Sequence, residues 1–212
     1  AIKQGYLVPF EAYKSQTQFQ IAGINRDTLS EQDINELKVN GIDPDEIDFK
    51  GKDLEKKVTN QDTNLKLIKE FFDNSIKSKD STLPGKSIIF AINRRHAGEL
   101  YKLFLQQYPQ YPGMVEQIHY KVERKDDVLK KFKNEDFPRI AISVDMLDTG
   151  IDVPAIQNLG FFKPVMSYIK FWQMIGRGTR TIQKDNEKPW CKEGEKNTFL
   201  IIDSGGNFER FE

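Results

Sequence analysis

The chain has 212 residues, 38% of them hydrophobic and 11% aromatic, enough to bury one sizeable core with or without an irregular arm. Lys and Arg number 32, as do Asp and Glu, so no global basic field draws the protein onto DNA or an anionic membrane, and any nucleic-acid contact has to be local. The lone Cys191 excludes an internal disulfide, and two histidines, His96 and His119, give no cluster at metal-ligand spacing, so no metal is expected.

In chain order, Gly5-Tyr6-Leu7-Val8-Pro9-Phe10-Glu11-Ala12-Tyr13 is strand-like. Residues 27–55 then hold ten acidic and three basic side chains, so this stretch carries −7 and the remainder, which holds both arginine- and glycine-bearing motifs below, +7. Its turn chemistry, including Gly41-Ile42-Asp43-Pro44, and its weak apolar periodicity predict an arm or insertion over residues 1–60 that packs on a lobe formed by residues 61–212. From Gln61 the pattern becomes regular. Leu65, Leu67, Ile68, Phe71, Phe72 and Ile76 mark an amphipathic helix, and Pro84-Gly85 closes its connection. Strands are expected over residues 87–92, 114–119, 140–144, 156–161 and 198–202, with helices over 94–107, 122–134 and 168–175 between them. Strands separated by helices require crossovers. The fold class is therefore α/β, a mostly parallel sheet with helices on both faces, with ligands expected beyond the carboxyl ends of the strands.

Two stretches carry chemistry. One is Asp148-Thr149-Gly150-Ile151-Asp152-Val153-Pro154; the other, about twenty residues on, is Gln173-Met174-Ile175-Gly176-Arg177-Gly178-Thr179-Arg180. Two guanidinium groups three residues apart at the start of a helix face one way and can grip a single phosphate, the task of an arginine finger. The bland alternative is a solvated helix face, and the neighbouring glycines and Asp152 weigh against it. Three lookalikes fail. Gly85-Lys86-Ser87 precedes a strand instead of following one, and position 80 is Asp where a phosphate loop needs Gly. Asp45-Glu46-Ile47-Asp48 has no apolar strand leading into it to fix a magnesium-binding carboxylate. Pro44-Asp45 with Asp48-Phe49-Lys50 spaces its carboxylates on one turn, unlike a metal nuclease. Gly205-Gly206 reads as a flexible exit from the last strand.

Ile89-Phe90-Ala91-Ile92-Asn93-Arg94-Arg95 resembles motif IV of the second RecA-like lobe of superfamily 2 helicases and translocases. Residues 143–153 resemble its motif V and residues 173–180 its motif VI, in the same order, over about residues 85–203. Within that group, the opening Gly5-Tyr6-Leu7-Val8-Pro9, the run Asp53-Leu54-Glu55-Lys56-Lys57-Val58 and both motif stretches are similar to the motor (R) subunit of type I restriction enzymes. The resemblance implies that Arg177 and Arg180 reach the phosphates of ATP bound on a first RecA-like lobe, which also holds Mg²⁺. It implies that Gln173 senses the γ-phosphate or couples the lobes, that Gly150 and Gly176 admit the nucleotide, and that Asp152 bonds the ribose. Asn93, Arg94 and Ser143 would contact a nucleic-acid backbone. Val144 stands where many relatives have a phosphate-contacting Thr, and Ser143 beside it should face the other side of the strand. His119 falls where some relatives have a His near nucleic acid; a strand-end His is more often structural, and no role is assigned.

The implied partners are double-stranded DNA, the first lobe and the methyltransferase and specificity subunits of a restriction complex. Alone, the chain is expected to be inactive, because the phosphate-binding loop is missing. Alternatives are another superfamily 2 helicase, a type III restriction subunit, or an inert RecA-like docking module; the paired arginines argue against the last. The start at Ala1 predicts a piece of a longer protein. No apolar run approaches the ~20 residues of a membrane span and no charged-then-apolar leader is present, so a soluble cytoplasmic protein is expected.

Overall fold

In the computed structural model, residues 7–15, 31–39, 61–79, 81–144 and 152–211 are described. The element order is β1 (Phe10–Lys14), α1 (Glu31–Val39), α2 (Gln61–Asn74), β2 (Lys86–Ala91), α3 (Arg94–Gln107), β3 (Val115–Ile118), α4 (Lys125–Asn134), β4 (Ile140–Ser143), β5 (Ile156–Phe162), α5 (Tyr168–Ile175), β6 (Phe199–Asp203) and α6 (Asn207–Phe211). The six strands form one sheet in the order β1-β6-β5-β2-β4-β3. Every pairing is parallel.

The period-2 alternation of the strands builds two cores. Ile89, Ala91, Val115, Ile140, Ile142, Phe162, Leu200 and Ile202 turn to one face and meet Leu67, Ile68 and Phe71 of α2 and Ala97, Leu100 and Phe104 of α3. Ile88, Phe90, Ile118, Ala141, Leu159, Phe161, Phe199 and Ile201 turn to the other and meet Phe132 of α4, Phe171, Met174 and Ile175 of α5, and the flanking Phe208 and Phe211 of α6. Helices thus cover both faces, which is why β2, β4, β5 and β6 are buried along their whole length. β1 is mostly exposed and lies at the sheet edge, so the opening segment contributes a strand to the lobe's own sheet.

Two residues set the close approaches. At Gly160 of β5 a Cβ would lie 2.9 Å from the Phe71 ring, so the bare backbone is what lets α2 settle on the sheet. Beside it, the fully buried Asn158 accepts from the Ile76 N–H at 2.7 Å and donates to the Ile76 carbonyl and the Ser87 hydroxyl, each at 3.0 Å, fastening the exit of α2 to the central strands. The acidic segment 27–55 lies outside the described residues apart from α1, and so do both acidic lookalikes. Gly205-Gly206 is not a loose exit. Asp203 accepts from the Gly205 N–H (3.1 Å), the Asn207 side chain (2.8 Å) and the Phe208 N–H (2.9 Å), and Asn207 also bonds Lys163 and Val165, so the turn into α6 is tightly fixed.

Candidate functional site

The arginine motif does not begin a helix; it ends one. After Ile175 the chain tightens through short-range bonds, Arg177 N–H to the Met174 carbonyl (3.1 Å) and Gly178 N–H to the Ile175 carbonyl (3.0 Å), and the helix stops. Gly178 lies flat on Phe199, where a Cβ would come within 2.2 Å of the ring. The chain then runs extended beside the opening segment: Val8 N–H donates to the Thr179 carbonyl at 2.7 Å, and Leu7 pairs with Arg180. Arg177 therefore sits in a turn and Arg180 on a short bridge, so their spacing on a helix face is not what relates them. Gln173 is exposed on α5, and Gly176 caps that helix with its N–H on the Trp172 carbonyl at 2.9 Å.

Motif V comes to the same place. Asp152 precedes the buried Val153 and the turn at Pro154 that leads into β5, and its carboxylate lies 3.5 Å from Nε of Arg180. Both side chains are more than half exposed, so this pair is weak and easily exchanged for another partner. Gly150 lies outside the described residues. The Asp152–Arg180 pair belongs to the amino-end side of the sheet, since Ile156 registers with Lys86 at the start of β2.

Asn93, Arg94 and Ser143 lie at the carboxyl ends, roughly 20 Å away along six strand residues. Asn93 is the N-cap of α3, its side-chain oxygen accepting from the His96 N–H at 3.0 Å. Arg94 is exposed, with its guanidinium 5.2 Å above the Tyr120 ring. Burial, and then the nearby Arg94 charge, hold the His119 pKa below its ordinary value. Ser143 is buried and registers with Phe90 and Ile118, while Val144 joins the core on the opposite face, as the alternation requires. Tyr120, more than half exposed, and Lys121, whose ammonium is 6.0 Å from the Tyr120 ring, add an aromatic and a cation to this rim. Neither was assigned from sequence; the signal was their position directly after a predicted strand.

Lys86 is no phosphate ligand. Its Nζ is enclosed by the carbonyls of Glu135 (2.6 Å), Asp136 (2.9 Å) and Pro138 (2.6 Å) and lies over the Phe132 ring. Burial lowers its pKa to about 7, against the opposing pull of Asp136. Next to it, Arg139 is buried in a two-point pair with Asp136, at 2.6 and 3.0 Å, and bonds Ser78. Among the described residues Lys86 and Arg139 are thus enclosed, while Arg180 is exposed at the Asp152–Arg180 edge. That edge fits one wall of a triphosphate site: guanidinium groups for the phosphates, a carboxylate for a hydroxyl. Among the described residues no group of three His, Cys, Asp or Glu side chains could hold a metal ion, and no helix is long and apolar enough to cross a membrane.

A parallel sheet covered on both faces, with a glycine-arginine turn packed against its last strand and paired to the carboxylate ahead of β5, defines a RecA-like helicase C-terminal lobe. The chain belongs to the helicase conserved C-terminal domain family, which matches residues 59–181, more than half of it. It is similar to the endonuclease subunit of the type I restriction enzyme EcoKI of Escherichia coli K12, 32% identical over 136 residues, which cover 58% of this chain and 11% of that protein. It is also similar to the EcoAI endonuclease subunit of Escherichia coli, 24% identical over 219 residues, covering 100% of this chain and 25% of that protein. The chain thus spans a quarter or less of these curated relatives. A solved fragment described as an HsdR subunit of a type I restriction enzyme from Vibrio vulnificus YJ016 shares the fold with a TM-score of 0.60 at 22% identity, over 98% of this chain and 34% of that one.

Proposed function

We propose that the chain is the second motor lobe of an ATP-dependent double-stranded DNA translocase, the R subunit of a type I restriction enzyme. The observation that carries this reading is the Asp152–Arg180 pair, which joins motif V to motif VI at one exposed edge. In this reading residues 61–212 form the lobe, residues 1–60 an arm that lends it an edge strand, and a first lobe elsewhere in the polypeptide supplies the phosphate-binding loop and Mg²⁺.

ATP, when bound, supplies the phosphoryl group whose transfer drives the motor. Arg177 and Arg180 act as fingers toward its phosphates, and Gln173 couples phosphate occupancy to closure of the lobes. An exposed ion pair contributes only about 0–1 kcal/mol, so Arg180 leaves Asp152 for a phosphate at little cost, freeing the carboxylate for the ribose. Gly150 and Gly176 leave room for the nucleotide. At the far rim Asn93 and Arg94 face the DNA backbone, where phosphate contacts position without reading sequence, whereas the buried Ser143 is out of reach of it. The similarity to restriction subunits supports methyltransferase and specificity subunits as partners and the cytoplasm as the compartment, and the chain alone is expected to turn over no ATP. Steady-state ATP hydrolysis by the full-length protein tests the finger roles: Arg177→Ala and Arg180→Ala should each lower kcat roughly 10³-fold while nucleotide still binds. Unchanged kcat in both variants would make the motif structural.

A further inference from the structure

Between motif VI and β6 the chain buries a lysine that no motif accounts for. Lys196 is only 3% exposed. Its Nζ donates to the Pro154 carbonyl at 2.8 Å and lies 5.9 Å from the centroid of the Phe199 ring. Pro154 is two residues beyond Asp152. Phe199 is the ring on which Gly178 rests, so close that a Cβ there would come within 2.2 Å. One side chain thus touches the turn that follows Asp152 and the ring that supports the turn before Arg180.

Among the described residues the two turns also share a core cluster, which holds Val153, Ile175 and Phe199. Arg180 is held to the opening segment by its bridge with Leu7 and by the neighbouring bond from Val8 to Thr179, and Asp152 meets Arg180 through a weak exposed pair. A buried ammonium is costly unless its surroundings are fixed around it, and a Met or Leu of similar volume would fill the same space without that cost. Burial lowers the Lys196 pKa to about 7, with the buried Cys191 thiol beside it opposing the shift. The lysine therefore spends stability, and what it holds is a geometry.

We propose that Lys196 is a positioning residue for the motor site: its buried side chain, bonded to Pro154 and lying over Phe199, ties the turn carrying Asp152 to the turn carrying Arg177 and Arg180. The effect on turnover rests on the motor reading above; the mechanical tie does not. Small displacements of groups that must meet a transition state cost up to about a hundredfold in rate, so the tie matters even though Lys196 touches no phosphate.

Amide hydrogen exchange and ATPase kinetics of the full-length protein test this together. In Lys196→Met, exchange in residues 152–156 and 177–181 should rise about tenfold while that of β2 stays as it was, and Lys196→Arg should restore most of the protection. DNA-stimulated kcat should fall about tenfold in Lys196→Met, and the same change made on an Arg180→Ala background should add less than about twofold, as groups acting as one unit are non-additive. Should the methionine variant not fold, Lys196→Gln, too short to reach Pro154, is read in the same way. Unaltered exchange in either segment, loosening spread over the whole lobe, or a kcat loss that multiplies with that of Arg180→Ala would overturn the proposal. If the wild-type protein hydrolyses no ATP, the motor reading falls and the exchange data alone decide the role of Lys196.

Discussion

Arg180 and Asp152 illustrate how little energy a site needs to hold its parts ready. Their 3.5 Å pair is exposed on both sides, so it orients the two groups without committing either. Buried cations behave differently: Lys86 is enclosed by three carbonyls and Arg139 is locked to Asp136, and neither is available to a ligand. Exposure thus separates Arg180 from these two basic residues, which hold loops together. From this follows a division of labour within the pair. Asp152→Ala should raise KM for ATP several-fold, by about 1 kcal/mol for a lost hydrogen bond to a hydroxyl, with a smaller change in kcat, whereas Arg180→Ala should act mainly on kcat. Equal effects of both substitutions on kcat, measured by initial-rate kinetics, would contradict it.

At the scale of elements, His96 is where three of them meet. It sits in the first turn of α3, its Nδ1 accepts from the Ile92 N–H at the end of β2 at 3.3 Å, and its Nε2 lies 3.3 Å from the Asn64 oxygen on α2. With Nδ1 accepting, Nε2 carries the proton and the ring is neutral. Burial lowers its pKa from 6.5 to about 4. Because the folded value lies below the unfolded one, the unfolded chain binds the extra proton between the two, so stability is full above about pH 6.5, falls toward pH 4 and levels off below. Urea unfolding at several pH values should show this loss, on the order of 3 kcal/mol, and the His96→Gln variant should lack it. A pH-independent difference between the two proteins would remove the neutral-histidine account. Each strand and helix expected from periodicity between Gln61 and Thr198 is present within a few residues, because runs such as Ile88-Ile89-Phe90-Ala91 leave no polar face to expose. The ties between elements were not legible. Asn64, His96 and Asn158 look polar and unremarked in the sequence, and only the packing shows that each bonds across a distant element.

For the whole molecule, the order of motifs along the chain was readable and their placement in space was not. Asn93, Asp152 and Arg180 each stand beside a strand end in sequence, yet Asn93 lies at one end of the sheet and Asp152 with Arg180 at the other. Ser143 ends β4 at one rim and Asp152 precedes β5 at the other, α5 leads back from the end of β5, and strand order alone does not fix which rim a loop reaches. The reading of motif VI as a helix start failed for a local reason: Gly178 must lie on Phe199, and the helix ends to let it. The lobe thus carries the Asp152–Arg180 pair at the amino ends of its strands and Arg94, Tyr120 and Lys121 at the carboxyl ends. The most direct test of the motor reading is the displacement of a triplex-forming strand from duplex DNA by the full-length protein with its partner subunits, with ATP and without, in wild-type and Arg180→Ala forms. ATP-dependent displacement that disappears in Arg180→Ala while DNA is still bound is the expected result. Displacement without ATP, or displacement unimpaired by the substitution, would contradict the claim that this lobe drives movement through its arginines.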